Sequence, residues 1–308
     1  MLLAVMPALA AEPFPSREIE IIVPFDPGGG TDLLARLVAS KLTEQLGKPV
    51  VVVNKPGAAG TVGTTLLSQR KADGHSLMTV TPSPIIFAPH RQKLAYDPVK
   101  DFTYLAGVVR QPFGIQVRAD APWRMFQDLL EDAKKNPGKI KYGTDGVNSW
   151  GAIFMAAVAL DRGINWTQVP FKGDATLLPA FLGGHVDVGV MSVIWVPLAH
   201  AGKLRPLAVV TEKRLSDFPE TPTLNELGFN YFLGIGSITG FAAPKGLPDD
   251  IRKKLEDAIR LATESAEFKE TAKKVSFEVD FRNGREFAQQ VEQGFKSLAE
   301  MMKKTGIK

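Results

Sequence analysis

The 308-residue chain contains no cysteine. This absence excludes thiol nucleophiles, disulfide bonds and zinc sites built on thiolates. Beyond the N-terminus, no apolar run reaches the roughly 20 residues that a membrane helix needs. Neither sign of charge dominates, because the formal net charge is +4 and the basic residues are spread along the chain. The composition is that of a soluble globular protein, and we expect no nucleic-acid partner.

Catalytic and nucleotide-binding motifs are also missing. There is no G-x-S-x-G elbow, and His75, His90, His185 and His200 lack the spacing of metal ligands. The stretch DPGGGTD is followed by no phosphate-loop lysine and does not match G-x-G-x-x-G. The sequence therefore predicts no catalytic residue, no metal and no cofactor. An enzyme acting on an acyl or phosphorylated metabolite remains an alternative.

The first residues, MLLAVMPALAAEPFPSR, have the pattern of the end of an export signal. An apolar run leads to Ala8-Leu9-Ala10, which is similar to a signal-peptidase site, and a polar stretch with prolines follows. The positively charged start of such signals is absent, because the first basic residue is Arg17. We expect residues 1–11 to be a residual signal peptide; a disordered cytosolic terminus is the alternative.

Short β-branched runs alternate with amphipathic helical patterns along the chain. EIEIIVPF and PVVVVNKP flank DLLARLVASKLTEQLG, whose apolar residues recur at the three-four spacing of one buried helix face. This order favours a parallel sheet covered on both faces. The pattern restarts near Pro112, and helical patterns return at about 249–273 and 285–303. The sequence therefore predicts two α/β lobes.

The predicted lobes have defined boundaries. Residues 12–112 plus 232–308 form lobe one, and residues 113–231 form lobe two. Crossings near 108–117 and 231–242 make a two-strand hinge, which suits a cleft that closes on a ligand.

Three glycine-rich loops lie at predicted strand-to-helix junctions: FDPGGGTD, NKPGAAGTVG and YGTDGVNSW. Ligands of open parallel sheets bind at the carboxyl ends of the strands. A helix that begins there offers free N–H groups and about half a positive charge. Glycine lets the backbone approach a ligand closely. The loops therefore predict a generic anion site.

An ordered series of motifs resembles the tripartite tricarboxylate transporter solute receptors, also called Bug-type periplasmic binding proteins. The series includes IEIIVPFDPGGGTDLLAR, GKPVVVVNKPGAAGTVG, NPGKIKYGTDG and VPFKGDATLLPAFLGGHVDVGV, and it extends from about residue 18 to 300. The resemblance implies a two-lobed periplasmic binding protein of the type II fold. It implies a monomer that captures a small aliphatic or aromatic carboxylate for the permease subunits of such a transporter. A periplasmic sensor that signals to a membrane kinase is the alternative with the same ligand chemistry.

The resemblance also implies where the ligand binds, through loop amides and ordered water with few charged side chains. The candidates in lobe one are Phe25, Gly28, Gly29, Gly30, Thr31, Asp32, Gly57, Ala58, Ala59, Gly60, Thr61, Ser83 and Ile85. The candidates in lobe two are Thr144, Asp145, Asn148, Ser149, Gly173, Asp174 and Ser192. Several of these residues could have a structural role instead of contacting the ligand. Thr31, Asp32 and Ser149 lie just before predicted helices and are of the residue types that cap helix N-termini.

Two features leave the identity of the ligand open. Relatives often carry a histidine where Ala152 stands, and a tryptophan-containing segment where this chain has GSITG. Asp26, Asp32, Asp145 and Asp174 also place several negative charges near a predicted anion site. Like charges in a partly dry cleft are unfavourable unless they point away, pair or become protonated. Either these aspartates cap loops, or the ligand also carries an amine or a hydroxyl group.

Overall fold

The computed structural model describes residues 13–211, 213–229 and 238–306. The strands are β1 (Ile19–Val23), β2 (Val50–Asn54), β3 (Ser76–Val80), β4 (Phe102–Arg110), β5 (Gly114–Arg118), β6 (Lys141–Thr144), β7 (Thr167–Pro170), β8 (Val188–Met191), β9 (Leu204–Val209), β10 (Ile238–Pro244) and β11 (Glu278–Asn283). The helices are α1 (Gly30–Leu46), α2 (Thr61–Ser68), α3 (Ala88–Arg91), α4 (Phe126–Lys135), α5 (Trp150–Arg162), α6 (Asp174–Leu182), α7 (Val196–His200), α8 (Asp249–Glu264), α9 (Ala266–Lys274) and α10 (Gly284–Thr305).

The strands form two separate sheets, which confirms the predicted two-lobed α/β class. The first has the order β11-β4-β10-β3-β1-β2, and the second has the order β7-β6-β8-β5-β9. In the first sheet β1 is parallel to β2 and β3, while β10 is antiparallel to β3 and β4. In the second, β6 is parallel to β7 and β8, while β5 is antiparallel to β8 and β9. The antiparallel strands β5 and β10 are the ones that enter each sheet from the other lobe.

The chain passes from the first sheet to the second between β4 and β5, at residues 111–113. It returns to the first sheet at β10, and residues 231–237 of the predicted second crossing lie outside the described residues. Gln111 Nε2 donates to Thr239 Oγ1 at 3.0 Å and so joins the two crossings. The lobe boundaries given above stay a prediction. The predicted signal residues 1–11 also lie outside the described part of the chain.

The C-terminal region differs from the sequence prediction in two respects. The helix predicted over 249–273 is two helices, because Ser265 has an extended backbone and its Oγ accepts a hydrogen bond from the Phe268 amide at 3.2 Å. Ser265 therefore caps α9 and ends the continuous helical path. Strand β11, which follows α9, was not predicted. It lies at the edge of the first sheet beside β4.

Four aromatic side chains form a cluster that joins the lobes behind their facing loops. Trp150 and Phe154 of α5 both contact Phe87, from the π-helical segment Ser83–Phe87, and Trp150 also contacts Phe113 of the first crossing. The ring centroids of Trp150 lie 5.9 Å from Phe87, 5.2 Å from Phe113 and 5.1 Å from Phe154. Each such pair contributes about 0.5–1.5 kcal/mol beyond its area of burial. The cluster therefore stabilises the contact between the lobes.

Within the ranges given above, no helix combines the length and the apolar character needed to cross a membrane.

We predict that Gly240→Ala strongly destabilises the protein. A Cβ at Gly240 of β10 would lie 2.0 Å from the carbonyl oxygen of Ala106 in β4, so the paired strands would have to separate. We expect a loss of at least about 2 kcal/mol in the free energy of unfolding, measured in urea.

Gly202→Ala is the control for this substitution. Gly202 has a positive φ of 67° and no atom near its would-be Cβ, so only backbone strain of about 1 kcal/mol is expected. An equal loss in the two variants would contradict the packing argument.

Candidate functional site

A cavity lies between the two sheets, at the carboxyl ends of β1, β3, β6 and β8. The cavity volume is about 40 Å³. One water molecule needs roughly 10–15 Å³ on the same measure, so the cavity has room for more than one water. The lining residues are Phe25, Asp26, Gly29, Gly30, Thr31, Thr81, Pro82, Ser83, Gln111, Phe113, Asp145, Trp150, Asp174, Ser192 and Thr239. Both lobes and both crossings therefore contribute to one partly open cavity.

The loop between β1 and α1 is held in place by Asp32. Asp32 Oδ2 accepts hydrogen bonds from the Gly28 amide at 2.9 Å and from Arg36 Nε at 2.8 Å. Asp32 Oδ1 accepts from Asn54 Nδ2 at 2.9 Å and from Arg36 at 3.1 Å. Burial opposes ionisation of this carboxyl, but the bonds from Arg36, Gly28 and Asn54 outweigh burial and lower its pKa. Asp32 therefore organises the loop from behind the lining.

The start of α1 corrects the sequence analysis. The helix begins at Gly30, so Thr31 and Asp32 lie in its first turn and do not precede it. The N-cap is Gly29, which has no side chain to accept a hydrogen bond. Because the first amides of a helix have no intrahelical acceptor, the N–H groups of Gly30 and Thr31 are available at the cavity. The bond from Asp32 back to Gly28 is what lets the helix begin within the glycines.

The loop at residues 57–61 lies beside the cavity and does not line it. Four successive residues, Gly57 to Gly60, have positive φ angles of 138°, 47°, 54° and 89°. Two of them are alanines, for which left-handed backbone costs about 1–2 kcal/mol per residue. This path brings Ala59 against Gly146 of lobe two, where an added Cβ would lie 2.7 Å from the Ala59 Cβ. The strained loop therefore forms part of the contact between the lobes.

The start of α5 is bonded across the cleft. Ser149 is its N-cap, as predicted, and Ser149 Oγ accepts from the Ala152 amide at 3.3 Å. The Trp150 amide donates to Ser83 Oγ of lobe one at 3.2 Å. Asn148 Nδ2 donates to Gln92 Oε1 at 3.2 Å, at the edge of the cleft. The facing loops of the two lobes are therefore in direct contact.

Two aspartates of lobe two are buried at the cavity. Asp174 is the first residue of α6, whose N-cap is Gly173, and its Oδ2 accepts hydrogen bonds from the amide and hydroxyl of Ser192. Burial raises the pKa of the Asp145 carboxyl, and the negative charge of Asp174 raises it further. Burial also raises the pKa of Asp174, against the opposing effect of the bonds from Ser192.

Several polar atoms of the lining residues have no hydrogen-bond partner among the described residues. They are Asp26 Oδ2, Thr81 Oγ1, Asp145 Oδ1, Trp150 Nε1 and Asp174 Oδ1. Buried polar groups are ordinarily satisfied, and one left unsatisfied costs about 1–3 kcal/mol. No lysine, arginine or histidine occurs among the lining residues that the structure describes. The cavity therefore offers a polar ligand both hydrogen-bond donors and negatively charged acceptors.

The structure brings some of the predicted site residues to the cavity and leaves others beside it. Those in the lining are Phe25, Gly29, Gly30, Thr31, Ser83, Asp145, Asp174 and Ser192. Those outside it are Gly28, Asp32, Gly57, Ala58, Ala59, Gly60, Thr61, Ile85, Thr144, Asn148, Ser149 and Gly173. A role of any of them in binding stays a prediction.

The other seven lining residues are Asp26 and Pro82, which lie in loops that the sequence placed near the site, and five that sequence reasoning missed, Thr81, Gln111, Phe113, Trp150 and Thr239. Trp150 directly follows the predicted Ser149, so its position next to a predicted site residue was the available signal. Gln111, Phe113 and Thr239 lie in the crossings, which carry no local sequence motif.

Within the described ranges, no three histidine, aspartate or glutamate side chains are placed to hold a metal ion.

We predict that Asp32→Asn lowers the free energy of unfolding by about 2 kcal/mol near pH 7, because the network loses its negative charge and one of its two acceptor oxygens. The folded-state pKa of Asp32 is lowered from 3.8, so its contribution is complete above that pH and is lost as the pH falls through the folded value. The penalty should therefore shrink in acid. Urea unfolding near pH 7 and pH 3 measures it.

Asp120→Asn is the matched control for Asp32→Asn, because the Asp120 side chain is 83% exposed and makes only a 3.6 Å ion pair with Arg118. We expect a change below about 0.5 kcal/mol. Equal effects at Asp32 and Asp120 would contradict the role of Asp32 in the loop.

We also predict that Asp145→Asn and Asp174→Asn stabilise the ligand-free protein near pH 8. A carboxyl whose pKa is raised in the folded state favours folding below its ordinary pKa of 3.8 and loses that effect as the pH rises through the folded value. Asparagine does not ionise, so the variant does not lose this stability as the pH rises. The difference in melting temperature between variant and wild type should therefore be larger near pH 8 than near pH 5. A difference that grows in acid would contradict the assignment.

Comparison with known proteins shows clear similarities. A sequence profile described as "Tripartite tricarboxylate transporter family receptor" matches residues 34–307. The Cupriavidus necator protein "UPF0065 protein in gbd 5'region" is 35% identical over 308 residues, covering 99% of this chain and 93% of its own.

Solved structures are similar over nearly the whole chain. Periplasmic binding protein BugD aligns with a TM-score of 0.86 at 30% identity, over 96% of this chain and 99% of its own. The R. palustris protein Rpa4515, solved with adipate, aligns with a TM-score of 0.86 at 28% identity, over 95% and 98%. The predicted two-lobed periplasmic binding protein fold is confirmed.

Proposed function

Since the chain belongs to the tripartite tricarboxylate transporter receptor family, we propose that it is a periplasmic receptor that captures a small carboxylate between its lobes. In this proposal the protein acts as a monomer without a cofactor, does not transform its ligand, and delivers it to the permease subunits of a tripartite tricarboxylate-type transporter. The adipate in the structure of Rpa4515 supports a carboxylate ligand.

The observation that carries the proposal is the convergence of helix N-termini on one cavity. Helices α1, α5 and α6 all begin there, at Gly30, Trp150 and Asp174. Each contributes a partial positive charge of about half a unit and amides without intrahelical acceptors. The indole N–H of Trp150 and the hydroxyl of Thr81 add uncommitted donors. A carboxylate held by amides, hydroxyls and bridging water needs no basic side chain.

Closure of the lobes would complete the site. Gly30 of lobe one faces Ser192 and Val193 of lobe two, and the Trp150 amide is bonded to Ser83 across the cleft. A ligand that contacts both lobes favours the closed arrangement by its differential affinity. Closure also removes water, which strengthens the electrostatic contacts inside.

We predict that Gly30→Ala weakens carboxylate binding at least about tenfold, a change of about 1.4 kcal/mol. A Cβ at Gly30 would lie 2.6 Å from Val193 Cγ1 and 2.8 Å from Gln111 Oε1, so the lobes could not close fully. Calorimetry and thermal shift with a panel of mono-, di- and aromatic carboxylates identify the best acid and measure its affinity for each variant.

Gly29→Ala is the matched control, because a Cβ added at Gly29 would lie no closer than 3.8 Å to another atom. The φ of Gly29 is −79°, which alanine adopts without strain. Its affinity should stay within about threefold of wild type. Binding of nucleotides with no response to any acid would refute the receptor proposal. Equal affinities in the two glycine variants would refute closure at Gly30.

A further inference from the structure

We propose that the captured solute is amphoteric, a small carboxylate that also carries a primary ammonium group bound by Asp145 and Asp174. This inference rests on the proposed receptor function and specifies the chemical class of its ligand. It follows from the three aspartates and the absence of basic side chains in the described cavity lining.

The two carboxylates are buried and incompletely satisfied. Asp145 and Asp174 are 7% and 9% exposed, and both line the cavity. Ser192 donates twice to Oδ2 of Asp174, which holds that side chain in place. Oδ1 of Asp174 and Oδ1 of Asp145 have no partner in the described chain. Oδ1 of Asp174 is therefore an acceptor on a positioned side chain, and neither oxygen is used by the part of the chain that the structure describes.

The charges of the lining need a positive group. A buried carboxylate costs several kcal/mol unless it is paired and hydrogen-bonded. The charge of Asp174 acts unfavourably on Asp145, so each makes the other harder to ionise. A primary ammonium has three N–H donors and one positive charge. Two of these donors would suit Oδ1 of Asp145 and Oδ1 of Asp174, which have no partner among the described residues.

The lining offers donors for the other end of the ligand. The indole N–H of Trp150, the hydroxyl of Thr81 and the amides of Gly30 and Thr31 suit a carboxylate. A dicarboxylate would satisfy these donors but would place negative charge against the aspartates. A simple amine would leave the donors unused. A molecule that carries both a carboxylate and an ammonium satisfies both the donors and the aspartate oxygens of the cavity.

The test compares amino acids with their des-amino counterparts by calorimetry near pH 7.5. The probe pairs are L-alanine and propionate, L-aspartate and succinate, and 4-aminobutyrate and butyrate. Within at least one pair, we expect the amino acid to bind at least about tenfold more tightly than the acid that lacks nitrogen.

Variants separate recognition of the ammonium from recognition of the carboxylate. Asp145→Asn and Asp174→Asn should each weaken the preferred amino acid at least about tenfold, and neither should weaken its counterpart that lacks nitrogen, because the substitution removes a negative charge beside that acid. Asp120→Asn, on an exposed surface, should change neither affinity. Melting temperatures verify that each variant is folded.

The outcomes distinguish this inference from the receptor function. Tighter binding of the acids that lack nitrogen would overturn the amphoteric ligand and leave a carboxylate receptor. Unchanged amino acid affinity in folded Asp145→Asn and Asp174→Asn would also overturn it. No response to any of the six probes or to the carboxylate panel would overturn both proposals.

Discussion

The arrangement of the cleft depends on the cost of keeping Asp145 and Asp174 out of water. Asp174 begins α6, so the positive end of that helix favours its carboxylate. Such helix-end contacts contribute about 0.3–2 kcal/mol, whereas a buried ion costs several kcal/mol. The hydrogen bonds from Ser192 reduce but do not remove this difference. The rest of the stabilising free energy must come from a proton on a carboxyl group or from a positively charged group of a ligand. Binding in the cleft is therefore sensitive to the charge of the ligand.

Asp32 shows how the unfavourable free energy of burying an aspartate is offset by hydrogen bonds and by a paired charge. Its two oxygens accept four hydrogen bonds, two of them from Arg36, so its charge is paired and its pKa is lowered. Asp145 and Asp174 have the reverse environment, with raised pKa values and an unpartnered oxygen each. One aspartate shapes the loop that presents amides to the cavity, and the other two give the cavity its negative charge.

The sequence predicted the parts of the structure that local patterns determine. The strand-helix alternation predicted two α/β sheets, and Ser149 was identified as a possible cap. The path of the 57–61 loop was not predictable, because alanine rarely adopts the positive φ of Ala58 and Ala59, and the contact of Ala59 with Gly146 joins residues distant in sequence. Gln111 and Thr239 reach the cavity through the crossings, which are defined by tertiary structure. The charge environment of each aspartate likewise depends on residues distant in sequence.

Trp150 connects closure of the cleft with its chemistry. Its ring belongs to the aromatic cluster with Phe87 and Phe113, its amide donates to Ser83 of the other lobe, and its indole nitrogen has no partner among the described residues. Opening the cleft must break the bond to Ser83 and separate α5 from Phe87. A ligand that accepts the indole N–H and also contacts lobe one therefore opposes opening directly. Because such a ligand prefers the closed arrangement, recognition and closure are one coupled equilibrium.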